Sequence, residues 1–458
     1  MTSKHLTGIV APLDALLLKG DADPATRAIM SSALVLDQVP EFERLTDAFE
    51  RASRTVPRMR ERVVSSSWSL GQPHWVTDDH FQVLDHVRQA GAPGDRSLDA
   101  ALSMASASAT VPFDPARPLW DALMVSGLED GRAVVFLRVH HAVADGVRAL
   151  HMMANLLDLE PDPSKPELPV LEQHGSSLGR ASGRAVRTAS QTVLSQQLRV
   201  RDTALATVHS LMRPVSSALD ATAYVRSANR AMGSGGATPS PLLQSRSRSR
   251  RFGILELPLD DMRRCAKAGS ATVNDVFLAG LLGGMRRYHE ACGASVGDSP
   301  ISFPIDVSPD ETPESGNHFS VAVMPGPSSE LDPVARLHAV HALVASRRTE
   351  PGVDAAVRLA PVLNQIPSWI ATAGVNAYSR RVDLQASNIV GPDCAVFLAG
   401  AKVHRFYAFG PLPGVPAMAV LVSYEGVCTI GFTIDPAAIT DPELFVALTR
   451  ESFDELLA

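Results

Sequence analysis

Two histidines stand side by side, His140 and His141, and are followed by Asp145 and Gly146 in the run HHAVADG. A neutral imidazole, with an unperturbed pKa of about 6.5, can take the proton of a hydroxyl as that oxygen attacks an electrophile. Successive residues of a strand point to opposite faces. If the strand persists through both histidines, only one ring faces a given site. One would then be the base, and the other would pack or hydrogen-bond. The same alternation argues against a metal held by the pair, and no HExxH-type spacing is present, so no metal site is expected. Asp145 reads as a cap of the following helix or as the partner of an arginine that holds the loop. Gly146 permits a tight turn into that helix.

The elements that must position these groups are legible on either side. Residues 133–139 (AVVFLRV) form a short, near-continuous apolar run, as a buried strand requires. After Gly146, Val147, Leu150, Met153 and Leu157 recur at helical spacing. The histidine motif is therefore expected at a strand-to-helix junction. Further along, 31–36, 252–257, 319–324 and 427–434 read as strands, and 40–55 and 274–287 as helices. The pattern predicts an α/β fold of two halves of similar size joined by a long crossover. The expected boundaries are 1–170, a helical crossover at 171–250, and 251–458.

The chain has 458 residues, more than one ordinary core accommodates, and it is 45% hydrophobic and 20% charged. A net charge of −7 argues against a dedicated nucleic-acid binder. The charge is uneven: residues 175–251 hold twelve arginines, no lysine, and only Asp202 and Asp220 as acids. That basic stretch reads either as a solvated crossover or as a surface for anions, whether coenzyme A phosphates or lipid headgroups. Within it, 183–230 has helical patterning and 233–240 (GSGGATPS) reads as a flexible loop. The four cysteines, Cys265, Cys292, Cys394 and Cys428, are scattered without a CxxC pair, as in a protein of a reducing compartment. The N-terminal residues lack a secretory apolar stretch, and no run of 18 apolar residues is present. A cytoplasmic protein is expected, with any contact to the inner membrane or lipid droplets being peripheral.

HHAVADG matches the HHxxxDG signature of the coenzyme-A-dependent acyltransferase superfamily. More closely, the chain resembles the bacterial wax ester synthase/acyl-CoA:diacylglycerol acyltransferases. The resemblance runs through PLDALLL at 12–18, HWVTDDHFQVLDHVR at 74–88, RPLWDALMV at 117–125, ATVNDVFLAG at 271–280, SGNHFSVAVMP at 315–325, SNIVGP at 387–392 and SYEG at 423–426. Two departures stand out. The stretch FPIDVSPD at 303–310 lacks the family's terminal arginine, and Val390 replaces a proline.

The resemblance implies two chloramphenicol-acetyltransferase-like domains with an active-site tunnel between them. It implies His141 as general base, His140 as its support and Asp145 as a structural residue. Pro118, Leu119 and Trp120 match a PLW motif linked to the acyl or alcohol pocket, with core packing as the alternative for Trp120. Asn274 and Asp275 match an ND motif: the Asn274 amide could donate to an oxyanion or serve the helix N-terminus. Gly316, Asn317, Ser387 and Asn388 match motifs near the tunnel, with turn chemistry as their plain alternative. The implied reaction moves a long acyl chain from acyl-CoA, a co-substrate rather than a bound cofactor, to diacylglycerol. The alternatives are a long-chain alcohol acceptor, as in a wax ester synthase, a carrier-tethered donor, as in a condensation enzyme, or a lipid-binding protein with little turnover.

Overall fold

A computed structural model of the chain describes residues 6–64, 73–144, 146–162, 226–228, 230, 233, 235–295, 297–306, 319–350, 352, 355, 358–360, 364 and 368–458. The expected helical patterning at 183–230 thus lies almost wholly outside the described residues. The first unit runs β1 (Leu6–Ile9), α1 (Pro12–Gly20), β2 (Ile29–Leu36), α2 (Phe42–Thr55), β3 (Glu61–Val64), β4 (His74–Thr77), β5 (Val87–Gly91), α3 (Leu98–Ser108), β6 (Trp120–Ser126), β7 (Ala133–His140) and α4 (Gly146–Leu156). The second runs β8 (Arg251–Pro258), α5 (Leu259–Ala268), α6 (Val273–Ala291), β9 (Ser299–Asp306), β10 (Phe319–Gly326), α7 (Pro333–Arg348), α8 (Ser368–Ser379), β11 (Leu384–Val390), β12 (Phe397–Leu398), β13 (Ala401–Phe409), β14 (Ala417–Tyr424), β15 (Val427–Ile434) and α9 (Pro442–Leu457). The strands and helices expected from periodicity appear with their ends shifted by a few residues.

Two six-stranded sheets carry the fold, ordered β12-β13-β2-β7-β6-β5 and β10-β9-β11-β14-β15-β8, beside a small β1-β4-β3 sheet. Strand β7 explains its own apolar run. Val135, Leu137 and Val139 face α2 and α4 through Leu45, Phe49, Met152 and Leu156. Val134 and Phe136, on the other face, meet Ala101, Leu102 and Ala105 of α3. A strand covered on both faces needs apolar side chains at every position rather than at alternate ones.

The sheets do not divide where the sequence suggests. Residues 397–409, assigned from pattern to the C-terminal half, complete the first sheet: β13 pairs antiparallel with β2, Val403 opposite Leu36 and Phe409 opposite Ser31. The pairing is non-local, so no local periodicity marks it. Where β13 passes β15, the units are bonded: Thr429 Oγ1 donates to Phe406 O (2.5 Å), and Tyr424 Oη donates to Val403 O (2.8 Å). Phe252 of β8 stacks on Phe409 with centroids 4.0 Å apart, and Glu256 accepts from Tyr407 Oη and from Arg405 Nε. The approach is close enough that a Cβ on Gly431 would lie 2.1 Å from Ala408 O.

Candidate active site

Strand β7 ends at His140, and the backbone there is tied on both sides. His140 N donates to Leu119 O (2.9 Å) and His141 N to Ala28 O (2.8 Å), so the strands flanking β7 set the position of each histidine. The chain then turns: Ala142 N donates to His140 Nδ1 (3.0 Å) and Val143 N to His140 O (2.9 Å). Ala142, Val143 and Ala144 are buried, which seals the base of the turn. Helix α4 begins at Gly146, so the motif sits at the strand-to-helix junction expected of it, while Asp145 lies outside the described residues.

The two rings differ sharply. His140 is fully buried, and because its Nδ1 accepts a backbone N–H, a neutral ring carries its proton on Nε2. That nitrogen lies 3.2 Å from Asp21 Oδ2, off the N–H axis. His141 is half-buried. Asp21 follows the last turn of α1, and its Oδ1 accepts from Ala28 N (3.3 Å). Helix α1 is further joined to α4 by Asp14, 2% exposed, whose Oδ2 lies 3.9 Å from Arg148 Nη2.

The loop after α1 also meets the second unit. Asn376 Nδ2 of α8 donates to Asp23 Oδ2 (3.2 Å), Gly414 N donates to Ala25 O (3.1 Å), and Lys19 Nζ donates to Asn364 O. An apolar cluster passes from one unit to the other beside the turn. Val139, Ala142 and Val143 belong to it, as do Met418, Val420 and Val422 of β14, with Ile389 of β11 packed against them.

The other expected site residues divide. Pro118 and Leu119 are buried, and Leu119 contributes the carbonyl that holds His140 N. Trp120 is 1% exposed: its Nε1 donates to Met59 O (2.8 Å), and its ring lies between Phe49 and His86, with centroids 5.6 and 4.6 Å away. Burial pushes His86 below the ordinary imidazole range, which keeps the ring neutral against the indole. Outside this stack, a cleft of about 430 Å³ is lined by Arg62, Asp78, His86 and Arg117.

At the start of α6 the N-cap is Thr272, and Asp275 completes a reciprocal capping box with it. Asn274, half-buried in the first turn, is therefore not the cap that the sequence allowed for. Asp275 is 1% exposed, and its Oδ2 also accepts from His341 (2.8 Å). Its carboxylate is held between its own helix and α7. Ser387 and Asn388 are not turn residues: both lie within β11, half-buried, opposite Val420 and Leu421 of β14. Gly316 and Asn317 lie outside the described residues. Of the arginine run at the end of the crossover, Arg246 and Arg250 turn inward, Arg246 Nε donating to Gly414 O (2.6 Å) and Arg250 pairing with Asp435 (3.8 Å). Arg248 and Arg251 are exposed.

The model of the wax ester synthase/diacylglycerol acyltransferase catalytic domain matches residues 10–277, and that of the WS/DGAT C-terminal domain matches residues 315–457. The chain belongs to this family. As a WS/DGAT protein it is an acyltransferase, with an acyl donor and an acyl acceptor as substrates. A Mycobacterium tuberculosis (strain H37Rv) protein carrying the provisional name diacylglycerol O-acyltransferase is 36% identical over 460 residues, covering 100% of this chain and 93% of its own. A second such protein of that strain is 28% identical over 431 residues, covering 90% and 88%. The solved wax ester synthase/diacylglycerol acyltransferase of Marinobacter aquaeolei VT8 superposes with a TM-score of 0.65 over 98% of each chain, at 20% identity. The first condensation domain of the calcium-dependent antibiotic synthetase gives 0.59 over 100% and 96%, at 16% identity. At such identities the likeness shows the shared two-domain α/β fold alone. No helix among the described residues is long and apolar enough to cross a membrane.

Proposed function

We propose that this WS/DGAT protein transfers a long-chain acyl group from acyl-CoA to the free hydroxyl of diacylglycerol, with His141 as the general base. The carrying observation is the inequality of the two rings: His140 is sealed in the fold, and His141, next in the chain, keeps access to solvent. His141 takes the hydroxyl proton as the oxygen attacks the thioester carbonyl. The tetrahedral oxyanion then collapses, the C–S bond breaks, and the imidazolium returns its proton to the leaving thiolate. The apolar cluster beside the turn, built from both units, is a fitting wall for an acyl chain in a tunnel between them. The 36%-identical relative's name favours diacylglycerol as acceptor. The Marinobacter structure, named for both reactions, keeps a long-chain alcohol as the second reading.

The test is coenzyme A release from palmitoyl-CoA with diacylglycerol or hexadecanol, for the wild-type protein and His141→Ala. Turnover that favours diacylglycerol, with a loss of about a hundredfold or more in the variant, is expected of a general base. Preference for hexadecanol reassigns the acceptor. An unimpaired His141→Ala reassigns the base.

A further inference from the structure

Asp21 is absent from the motifs, yet it is the carboxylate that touches the supports of both histidines. Its Oδ2 lies 3.2 Å from Nε2 of the fully buried His140, and its Oδ1 accepts from Ala28 N (3.3 Å). The carbonyl of that same Ala28 accepts from His141 N (2.8 Å). Both groups facing Asp21 carry protons, because the Ala142 amide occupies Nδ1 of His140 and leaves the proton on Nε2; Ala28 N makes a hydrogen bond, and the off-axis His140 N–H feels the carboxylate's charge at 3.2 Å. A carboxylate, which only accepts, suits two donors at once. An amide of the same shape must turn its own N–H₂ toward one of them.

We propose that Asp21 is a positioning residue for the acyl transfer: through the His140 ring and the Ala28 peptide it fixes the turn that presents His141. The inference rests on His141 being the base. Asp21 stands 28% exposed at the end of α1 in a loop whose neighbouring carboxylate, Asp23, holds Ala25 N and Asn376 instead. Asp23 therefore offers a control in the same loop that leaves both histidines alone. Displacing a base by a fraction of an ångström costs rate more than substrate affinity.

The experiment compares Asp21→Asn, Asp21→Ala and Asp23→Asn in the palmitoyl-CoA assay, and combines Asp21→Ala with His140→Ala. Asp21→Ala is expected to lower kcat by about 10- to 100-fold, with KM for both substrates within about threefold, and Asp21→Asn to fall between it and wild type. Asp23→Asn should stay within about threefold of wild type. In the His140→Ala background, the Asp21 change should cost less than it does alone, since only its route through the Ala28 peptide is left and contacting residues that act through one another are not additive. The proposal is overturned if the two losses multiply, if Asp23→Asn loses as much, or if Asp21→Ala keeps a wild-type kcat. Failure of the underlying reading looks different: His141→Ala retains activity, or the wild type does not turn over. In that case ¹⁵N-histidine NMR decides, since the His140 Nε2 resonance must move in Asp21→Ala, and a resonance that stays in place refutes the contact.

Discussion

Trp120 separates two meanings of the PLW segment, pocket wall or core, by an amount the structure supplies. Its indole N–H donates to the carbonyl of Met59, itself fully buried, and its ring stacks on Phe49 and His86. Trp120→Phe leaves that carbonyl without its donor, at about 1–3 kcal/mol. The smaller ring leaves space that the filled stack closes only in part, about 1–2 kcal/mol more. A loss of about 3 kcal/mol corresponds to a fall on the order of 6–12 °C in the unfolding midpoint of a unit this size. The assay is thermal unfolding by far-UV circular dichroism, paired with kcat and KM for palmitoyl-CoA at 20 °C below the variant's midpoint. Core packing predicts the fall in midpoint with KM for both substrates within about threefold of wild type. A variant that unfolds with the wild type while its KM rises tenfold would refute the core reading and return Trp120 to the pocket.

Two further outcomes follow from the packing. Burial pushes the carboxyl of Asp383 up to about 6 from its ordinary 3.8, against the hydrogen bond from Ser240 N. A raised folded-state value means that the protonated form favours the fold. The contribution is full below pH 3.8 and is lost as pH rises through about 6. The loss is on the order of 3 kcal/mol. Asp383→Asn should therefore be the more stable protein at pH 7.5, with the gap closing by pH 4, and parallel unfolding curves for the two proteins across that range would sink the argument. Gly431→Ala forces a methyl to within 2.1 Å of the Ala408 carbonyl, where backbone and not a flexible side chain must give way. It should cost about 3 kcal/mol or more in thermal unfolding, and a neutral result would mean that β13 and β15 separate freely.

What the sequence makes legible here is local. The two-sided burial of β7, the amphipathic face of α2 and the junction holding His140 and His141 each follow from a run of neighbouring residues, and each stands where the pattern places it. What it hides is long-range. Pairing of β13 with β2 leaves no mark in either strand, so nothing in the C-terminal half's own pattern shows that residues 397–409 join the first sheet. Asp21 carries no spacing signal, because it meets His140 through a loop and not along one element. The basic stretch reads as either a solvated crossover or a surface for anions, yet Arg246 and Arg250 at its end are consumed by Gly414 and Asp435, which no charge pattern reveals. For Ser387 and Asn388, turn chemistry is the plain alternative to a motif role, and strand pairing with β14 overrides that turn preference.

The strand that β13 lends to the first sheet also sets the order in which this protein can be made. Strand β2 has left the ribosome long before β13, the neighbour it needs, which ends at Phe409. At about 5–20 residues per second, the edge of β2 stands open on the nascent chain for on the order of twenty seconds to a minute. Through that interval it is a row of unpaired amides and carbonyls in an apolar strand, the kind of edge that invites pairing with another chain. The cell must shield an incomplete first sheet until the second half arrives to close it. For the same reason the histidine-bearing half, released alone, would lack the strand that completes its own sheet.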